Sequence, residues 1–334
     1  MEAKKEGKKA KMKTPLLNKK AFDFSFTVST GSTLLDLAIS GGRCEQGGLC
    51  RGIMVEVFGP PSTGKTAILA EVCASAQSKG GDVLFLDPEG RLDREYSKIY
   101  GMKIDENNYY CPDTVEELFQ IIQDWKPKSE LAVLACDSLA ALSTQMEMQD
   151  RDKMGMRRAK EFSEGLRKVC RLIARNGWIL MCSNQIREGE FGEFVPGGKA
   201  ISFYSSLRIR LSLEEKIVRK VVLPSKAKAQ KVIGIRTHCQ VKKNSLDDPF
   251  READIFVIFG YGIDDIRGNL MYVKKMKGLA PNMYEVGGEK FIGIEQAIRY
   301  VEKNDLEDEL KREVVSLWRE AESKFRYERK PKKR

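Results

Sequence analysis

Gly59-Pro60-Pro61-Ser62-Thr63-Gly64-Lys65-Thr66 separates the short apolar run Ile53–Phe58 from Lys65–Ser78, where Ile68, Leu69, Val72 and Cys73 recur at helical spacing. The octet fits G-x-x-x-x-G-K-[ST] and stands where that pattern has chemical meaning, between a strand and a helix. Its glycines let backbone N–H groups converge on phosphates, and the helix N-terminus adds partial positive charge. Lys65 is placed to reach the β- and γ-phosphates, and the Thr66 hydroxyl to ligate Mg²⁺. The expected nucleotide-binding set is Gly59, Pro60, Pro61, Ser62, Thr63, Gly64, Lys65, Thr66 and Ala67, with ATP and Mg²⁺ as ligands.

Two carboxylates belong to the same reading. Leu131–Cys136 is an apolar strand that ends in Asp137-Ser138. A carboxylate at the carboxyl end of a buried strand faces a nucleotide bound at that edge of the sheet, so Asp137 is the expected second Mg²⁺ holder. Away from a P-loop it would equally read as a helix N-cap. Asp82–Leu86 is a third strand and runs into Asp87-Pro88-Glu89. Glu89 is positioned to orient and deprotonate an attacking water; position alone leaves it equally a solvated loop acid.

Apolar strands that barely alternate, separated by helices, indicate a parallel sheet covered on both faces. Further helices are expected to about Tyr100, over Val115–Trp125 and over Met156–Asn176, with a strand at Trp178–Cys182. Strands then follow one another at Phe203–Leu213, Val232–Val241 and Asp254–Phe259, and Ile294–Glu302 and Leu306–Phe325 read as helices. The expected fold is α/β: a P-loop NTPase core of mostly parallel sheet with an antiparallel extension and helices on both faces, plus a small α+β C-terminal domain. The division is a basic arm at 1–25, a core at 26–266, the small domain at 267–323 and a basic tail at 324–334.

Composition narrows the chemistry. The only histidine, His238, lies in a strand-like run, which excludes a metal site with two His ligands and disfavours a Ser-His-Asp hydrolase. The eight cysteines include no C-x-x-C pair, and Cys73, Cys136, Cys170 and Cys182 sit inside apolar runs, as reduced core thiols do. Cys44 and Cys50 flank a Gly-rich stretch without other ligands nearby. A net charge of +10 points to an anionic partner, nucleic acid being the commonest for such a protein. Lysines crowd residues 1–20 and 324–334, a composition suited to phosphate contact. No apolar run approaches the roughly 20 residues a membrane span needs, so a cytoplasmic protein is expected.

The motif series resembles bacterial RecA. After the P-loop come F-L-D-P-E-G-R-L-D-R-E-Y (Phe85–Tyr96), C-D-S-L-A-A-L (Cys136–Leu142) and S-N-Q-I-R (Ser183–Arg187). P-G-G-K-A-I-S-F-Y-S-S-L-R (Pro196–Arg208) and V-K-K-N-S-L-D-D-P-F (Val241–Phe250) follow, and the likeness runs from Ser29 to Trp318. It implies a RecA-like fold and the catalytic set Lys65, Glu89, Gln185 and Lys243. Glu89 takes the catalytic carboxylate's place, and Gln185 that of a γ-phosphate sensor coupled to a DNA loop. Lys243 takes the place of a lysine that reaches a neighbouring subunit's nucleotide, and Asp93 and Tyr96 those of adenine contacts. The first DNA loop would be Thr144–Gly155, leading into Lys160, Ser163 and Arg167. The second would be Ile186–Gly198, with Arg187, Phe191, Phe194, Gly197 and Gly198.

The likeness also has departures. The second loop is short and carries Glu188, Glu190 and Glu193; Ser245 stands where a second interface lysine is expected. The N-terminal docking helix gives way to a Lys-rich arm, and the C-terminus is basic where the family's is acidic. The resemblance implies a nucleoid-associated, DNA-dependent ATPase that binds single- and double-stranded DNA and self-associates into a filament or ring. It would promote strand exchange in recombination and repair. A RecA-like accessory that uses ATP as a switch without strand exchange stays open beside it.

Overall fold

Ile53, Val55 and Val57 are packed with Ile68, Leu69 and Val72 on one side of their strand, while Met54 belongs to a different cluster with Leu118, Phe119 and Phe162 on the other. Burial on both sides is why the strand reads as an unbroken apolar run. The computed structural model describes residues 22–92, 94–143, 154–189, 192–194, 198–327 and 329.

The chain opens with β1 (Asp23–Val28), α1 (Thr33–Ser40), β2 (Leu49–Arg51), β3 (Ile53–Gly59), α2 (Lys65–Ser78), β4 (Asp82–Leu86), α3 (Arg94–Ile99) and β5 (Tyr109–Tyr110). It continues through α4 (Val115–Asp124), β6 (Ala132–Cys136), α5 (Met154–Asn176), β7 (Ile179–Gln185), β8 (Arg187–Gly189), β9 (Gly192–Phe194) and α6 (Gly198–Tyr204). The last part holds β10 (Leu207–Val222), β11 (Lys228–Asn244), β12 (Glu252–Ile258), β13 (Gly262–Ile263), α7 (Asp265–Lys277), β14 (Met283–Val286), β15 (Glu289–Ile292), α8 (Ile294–Lys303) and α9 (Glu307–Lys324).

The main sheet runs in the order β13-β12-β11-β10-β3-β7-β6-β4-β5. From β10 to β5 every neighbouring pair is parallel, and β11, β12 and β13 add on antiparallel. The expected core architecture is therefore present. α2 covers one face, and α4 and α5 the other. Local chemistry sets the α4 start: the Thr114 hydroxyl accepts from the Glu117 N–H at 3.2 Å, and Glu116 and Glu117 complement the helix dipole.

One strand differs from expectation. Phe203 and Tyr204 close α6 instead of opening a strand, and β10 starts at Leu207, in register with Val55 of β3. The helix end is fixed at Ser205, whose N–H and hydroxyl both donate to the Ile201 carbonyl, at 3.0 and 2.7 Å. β10 and β11 also run well past Leu213 and Val232 as a two-stranded ribbon that pairs across Val222 and Lys228. Alternating apolar and charged residues there have no buried face to report them.

After β13, α7, the β14–β15 hairpin, α8 and α9 surround their own core of Leu270, Val273, Val286, Val301 and Val314, joined by Leu37 of α1. The Lys-rich segment at 1–21 and the tail residues 328 and 330–334 lie outside the described residues. Among the described residues no helix is long and apolar enough to cross a membrane.

Candidate active site

The carboxyl ends of β3, β4, β6 and β7 converge on a cavity of about 890 Å³ lined by the P-loop, Glu89, Asp137 and Gln185. In open α/β sheets the crevice outside these strand ends is where ligands bind. The loop reverses at Gly64, whose φ of +86° is left-handed and suits glycine. The Thr237 hydroxyl of β11 donates to the Thr63 carbonyl at 3.1 Å, so the antiparallel extension braces the loop.

Lys65 is buried at the loop's centre. Its Nζ donates to the carbonyls of Gly59 at 3.1 Å and Pro60 at 2.7 Å. Burial lowers its pKa, opposed by the charges of Asp137 and Glu89. The Thr66 hydroxyl donates to Asp137 Oδ2 at 2.5 Å, and the Ser183 hydroxyl donates to Oδ1. Burial pushes the Asp137 carboxyl up, and these two donors pull it back. Thr66 and Asp137 together offer the all-oxygen surroundings that Mg²⁺ prefers.

Glu89 lies across the cavity from the loop. Its Oε1 accepts from Ser138 Oγ at 3.2 Å and from Gln185 Nε2 at 3.3 Å, and its Oε2 pairs with Arg91 at 2.9 Å. The expected base and the expected sensor are thus in direct contact. Tyr96 lines the same cavity with part of its ring exposed. The Tyr100 hydroxyl donates to that of Tyr96 at 2.9 Å, and the rings meet edge-on at 5.4 Å. Asp93, its expected companion, lies outside the described residues.

Several residues at the site were given no role by the sequence reading. Arg91, Ser138 and Ser183 contact the carboxylates, while Leu213, Lys216, Ile235 and Val257 form the far wall. Only the pairing of distant strands brings that wall to the P-loop. Arg91, two residues after Glu89, was the one legible hint.

Lys243 does not line this cavity. It stands opposite Arg208 in the β10–β11 pair, and its Nζ donates to the carbonyls of Ser202 at 3.0 Å and Phe203 at 2.9 Å. Burial and the charge of Arg208 lower its pKa. Lys160, Ser163 and Arg167 share one face of α5, with both cations exposed. Arg187 opens β8, which pairs antiparallel with β9, and Gly198 begins α6. Phe191, Gly197 and residues 144–153 of the expected first loop lie outside the described residues. His238 has a structural place between strands, its Nδ1 2.9 Å from Asp254 Oδ1.

The chain matches the family model for the RecA N-terminal domain over residues 2–264. It is 32% identical to Protein RecA of Borrelia hermsii over 303 residues, which cover 87% of this chain and 82% of that protein. It is 33% identical to Protein RecA of Thermus aquaticus over 300 residues, covering 86% and 84%, and to that of Thermus thermophilus over 267 residues, covering 78% and 74%. Together with a P-loop, a strand-end aspartate and a Glu–Gln contact in one cavity, the extent of the match shows that the chain belongs to the RecA family.

Proposed function

We propose that the chain is an ATP-hydrolysing recombinase that assembles on single-stranded DNA and pairs it with homologous duplex. The observation that carries this reading is the hydrogen bond from Gln185 to Glu89. It joins the group suited to activating water to the residue just before the expected DNA loop. On this reading residues 26–266 are the ATPase core and 267–323 the small C-terminal domain, with basic segments 1–25 and 324–334 toward DNA. A place at the nucleoid follows from the same partner.

The side chains present can perform the chemistry. Lys65 exchanges the Gly59 and Pro60 carbonyls for phosphate oxygens, which adds an acceptor's negative charge to bonds that already carry the ammonium's positive one. Thr66 and Asp137 would hold Mg²⁺, which screens phosphate charge when bound. Glu89 takes the proton of the attacking water, with Ser138 and Gln185 holding its Oε1. Gln185 is free to turn its amide toward the γ-phosphate and back, moving the backbone that leads into Arg187. Lys243 serves the nucleotide of an adjacent subunit, and Asp93 and Tyr96 hold the adenine. Lys160, Ser163, Arg167, Arg187, Phe191, Gly197 and Gly198 contact DNA.

Glu89→Gln tests the core of this reading. It keeps the size and an acceptor but removes the base, so ATP should still bind while DNA-stimulated hydrolysis falls by about two to four orders of magnitude. Turnover that survives the change excludes Glu89 as the base. Joint-molecule formation between single strands and homologous duplex checks the recombinase assignment; ATP turnover without it leaves the accessory reading.

A further inference from the structure

The β10–β11 ribbon leaves the main sheet. β3 pairs with β10 only over Leu207–Arg210, and β12 pairs with β11 only over Gly234–Gln240. Between Ile217 and Val232 the two strands therefore pair with nothing but each other. At about 3.4 Å per residue, the stretch from Ile217 to Leu223 carries the tip roughly 20 Å outward.

The charge on this ribbon is one-sided. Residues 216–231 contain Lys216, Arg219, Lys220, Lys226, Lys228 and Lys231 and no Asp or Glu. None of these cations forms an ion pair within the described residues. Lys216 lines the nucleotide cavity, which leaves the others without an anion. Arg219 stands directly opposite Lys231, a like-charge pairing that costs free energy unless an anion lies against it. Strand alternation puts Arg219 and Lys231 on one face, and Lys220 and Lys228 on the other.

Apolar side chains gather at the tip beside Ser225 and Lys226: Val221, Val222 and Leu223 are exposed, Val222 to 69%, and Pro224 follows. Lysines on an exposed strand also deter pairing with other chains, but an exposed apolar tip works against that purpose.

We propose that this ribbon is a duplex-DNA contact that enters the major groove tip-first. A two-stranded ribbon fits that groove, which is about 12 Å wide. The cations of each face then meet one strand's phosphates, and the tip reaches base edges, where thymine methyls offer apolar surface. The proposal rests on the DNA-acting reading above and assigns the duplex a surface separate from α5 and the β8–β9 region.

The test uses the full chain with Arg219→Ala, Lys228→Ala and Lys231→Ala combined. All three are exposed and lie outside the cavity, and circular dichroism and the melting midpoint check that the fold is kept. Anisotropy titrations with a blunt fluorescent duplex, and with one of its strands alone, are run across a salt series. For the duplex, the slope of log affinity against log salt should fall by about 2–3, near 0.9 per lost phosphate contact, and low-salt affinity by about tenfold or more. Single-strand binding and single-strand-stimulated ATP hydrolysis should persist.

An unchanged duplex slope overturns the proposal and leaves the ribbon to an acidic protein partner. Equal losses on both DNAs overturn the duplex assignment. Failure of the recombinase reading shows separately, as a parent protein whose hydrolysis ignores single strands.

Discussion

The ammonium of Lys65 rests on two carbonyls of its own loop, so its charge is already held where phosphates would arrive. Lys65→Ala removes that charge and is expected to weaken ATP binding by about 10–100-fold, the range for hydrogen bonds to charged groups. Calorimetric titration measures it, and unchanged affinity removes the P-loop assignment. Glu71 illustrates a different residue-level effect. Its Oε1 accepts from the Ile263 N–H at 3.1 Å, and burial pushes its carboxyl from 4.5 up to about 7, with Asp265 adding to the shift. A carboxyl that binds its proton more tightly when folded contributes stability that is complete below the unfolded value. That stability is lost as pH rises from about 4.5 to about 7. Asp36, pushed by burial up to about 6, works in the same direction. Glu71→Gln keeps the acceptor without the titration, so urea unfolding at pH 5 and pH 8 should show a smaller loss of stability than in the parent. An equal loss in both proteins would sink this account.

At the scale of elements, α5 packs tightly on α4 at Gly165, where an added Cβ would lie 2.0 Å from Phe119 Cδ2. Phe119 also meets Phe162 edge-on at 6.2 Å, so the ring has little room to retreat. Gly165→Ala should therefore destabilise by about 1–3 kcal/mol in spite of alanine's better helix propensity. A stability gain in denaturant titration would contradict the packing. These elements also show what a sequence can reveal. α2 was legible from Lys65 to Ser78 because the P-loop fixes its start and apolar spacing marks its length. The carboxylates at strand ends were legible for the same reason: sheet edges and motif chemistry coincide. The start of β10 was not, because Phe203 and Tyr204 continue an apolar pattern that helix and strand share, and register with β3 decides between them. The cavity's far wall was hidden too, since Leu213, Ile235 and Val257 look like any strand residues until β11 and β12 fold back beside the P-loop.

For the molecule as a whole, Trp318 ties the C-terminal helices to the core. It lies against Gly41 after α1, and the Arg251 guanidinium sits 5.3 Å from its ring centre, itself paired with Asp247 and Glu322. Trp318→Ala should cost about 3–5 kcal/mol by urea unfolding, and a loss under about 1 kcal/mol would mean that the lobe docks by other contacts. Assembly has its own signature. If Lys243 serves a neighbour, hydrolysis per subunit should rise with protein concentration and with DNA length. Ser245, exposed just beyond it, offers a second place for charge, so Ser245→Lys should raise turnover further. Turnover that ignores concentration, DNA length and Ser245→Lys would leave a solitary ATPase. Within one subunit, however, the Lys243 ammonium already closes the carbonyl end of α6, the helix that follows the expected DNA loop. If that ammonium must leave the helix to reach a neighbour's phosphate, the two compete in an assembly for one cationic group. Competition of this kind is symmetric: the factor by which a neighbour's triphosphate loosens α6 is the factor by which DNA that loosens α6 tightens the neighbour's triphosphate. Each subunit would then learn the state of the next through the end of a seven-residue helix.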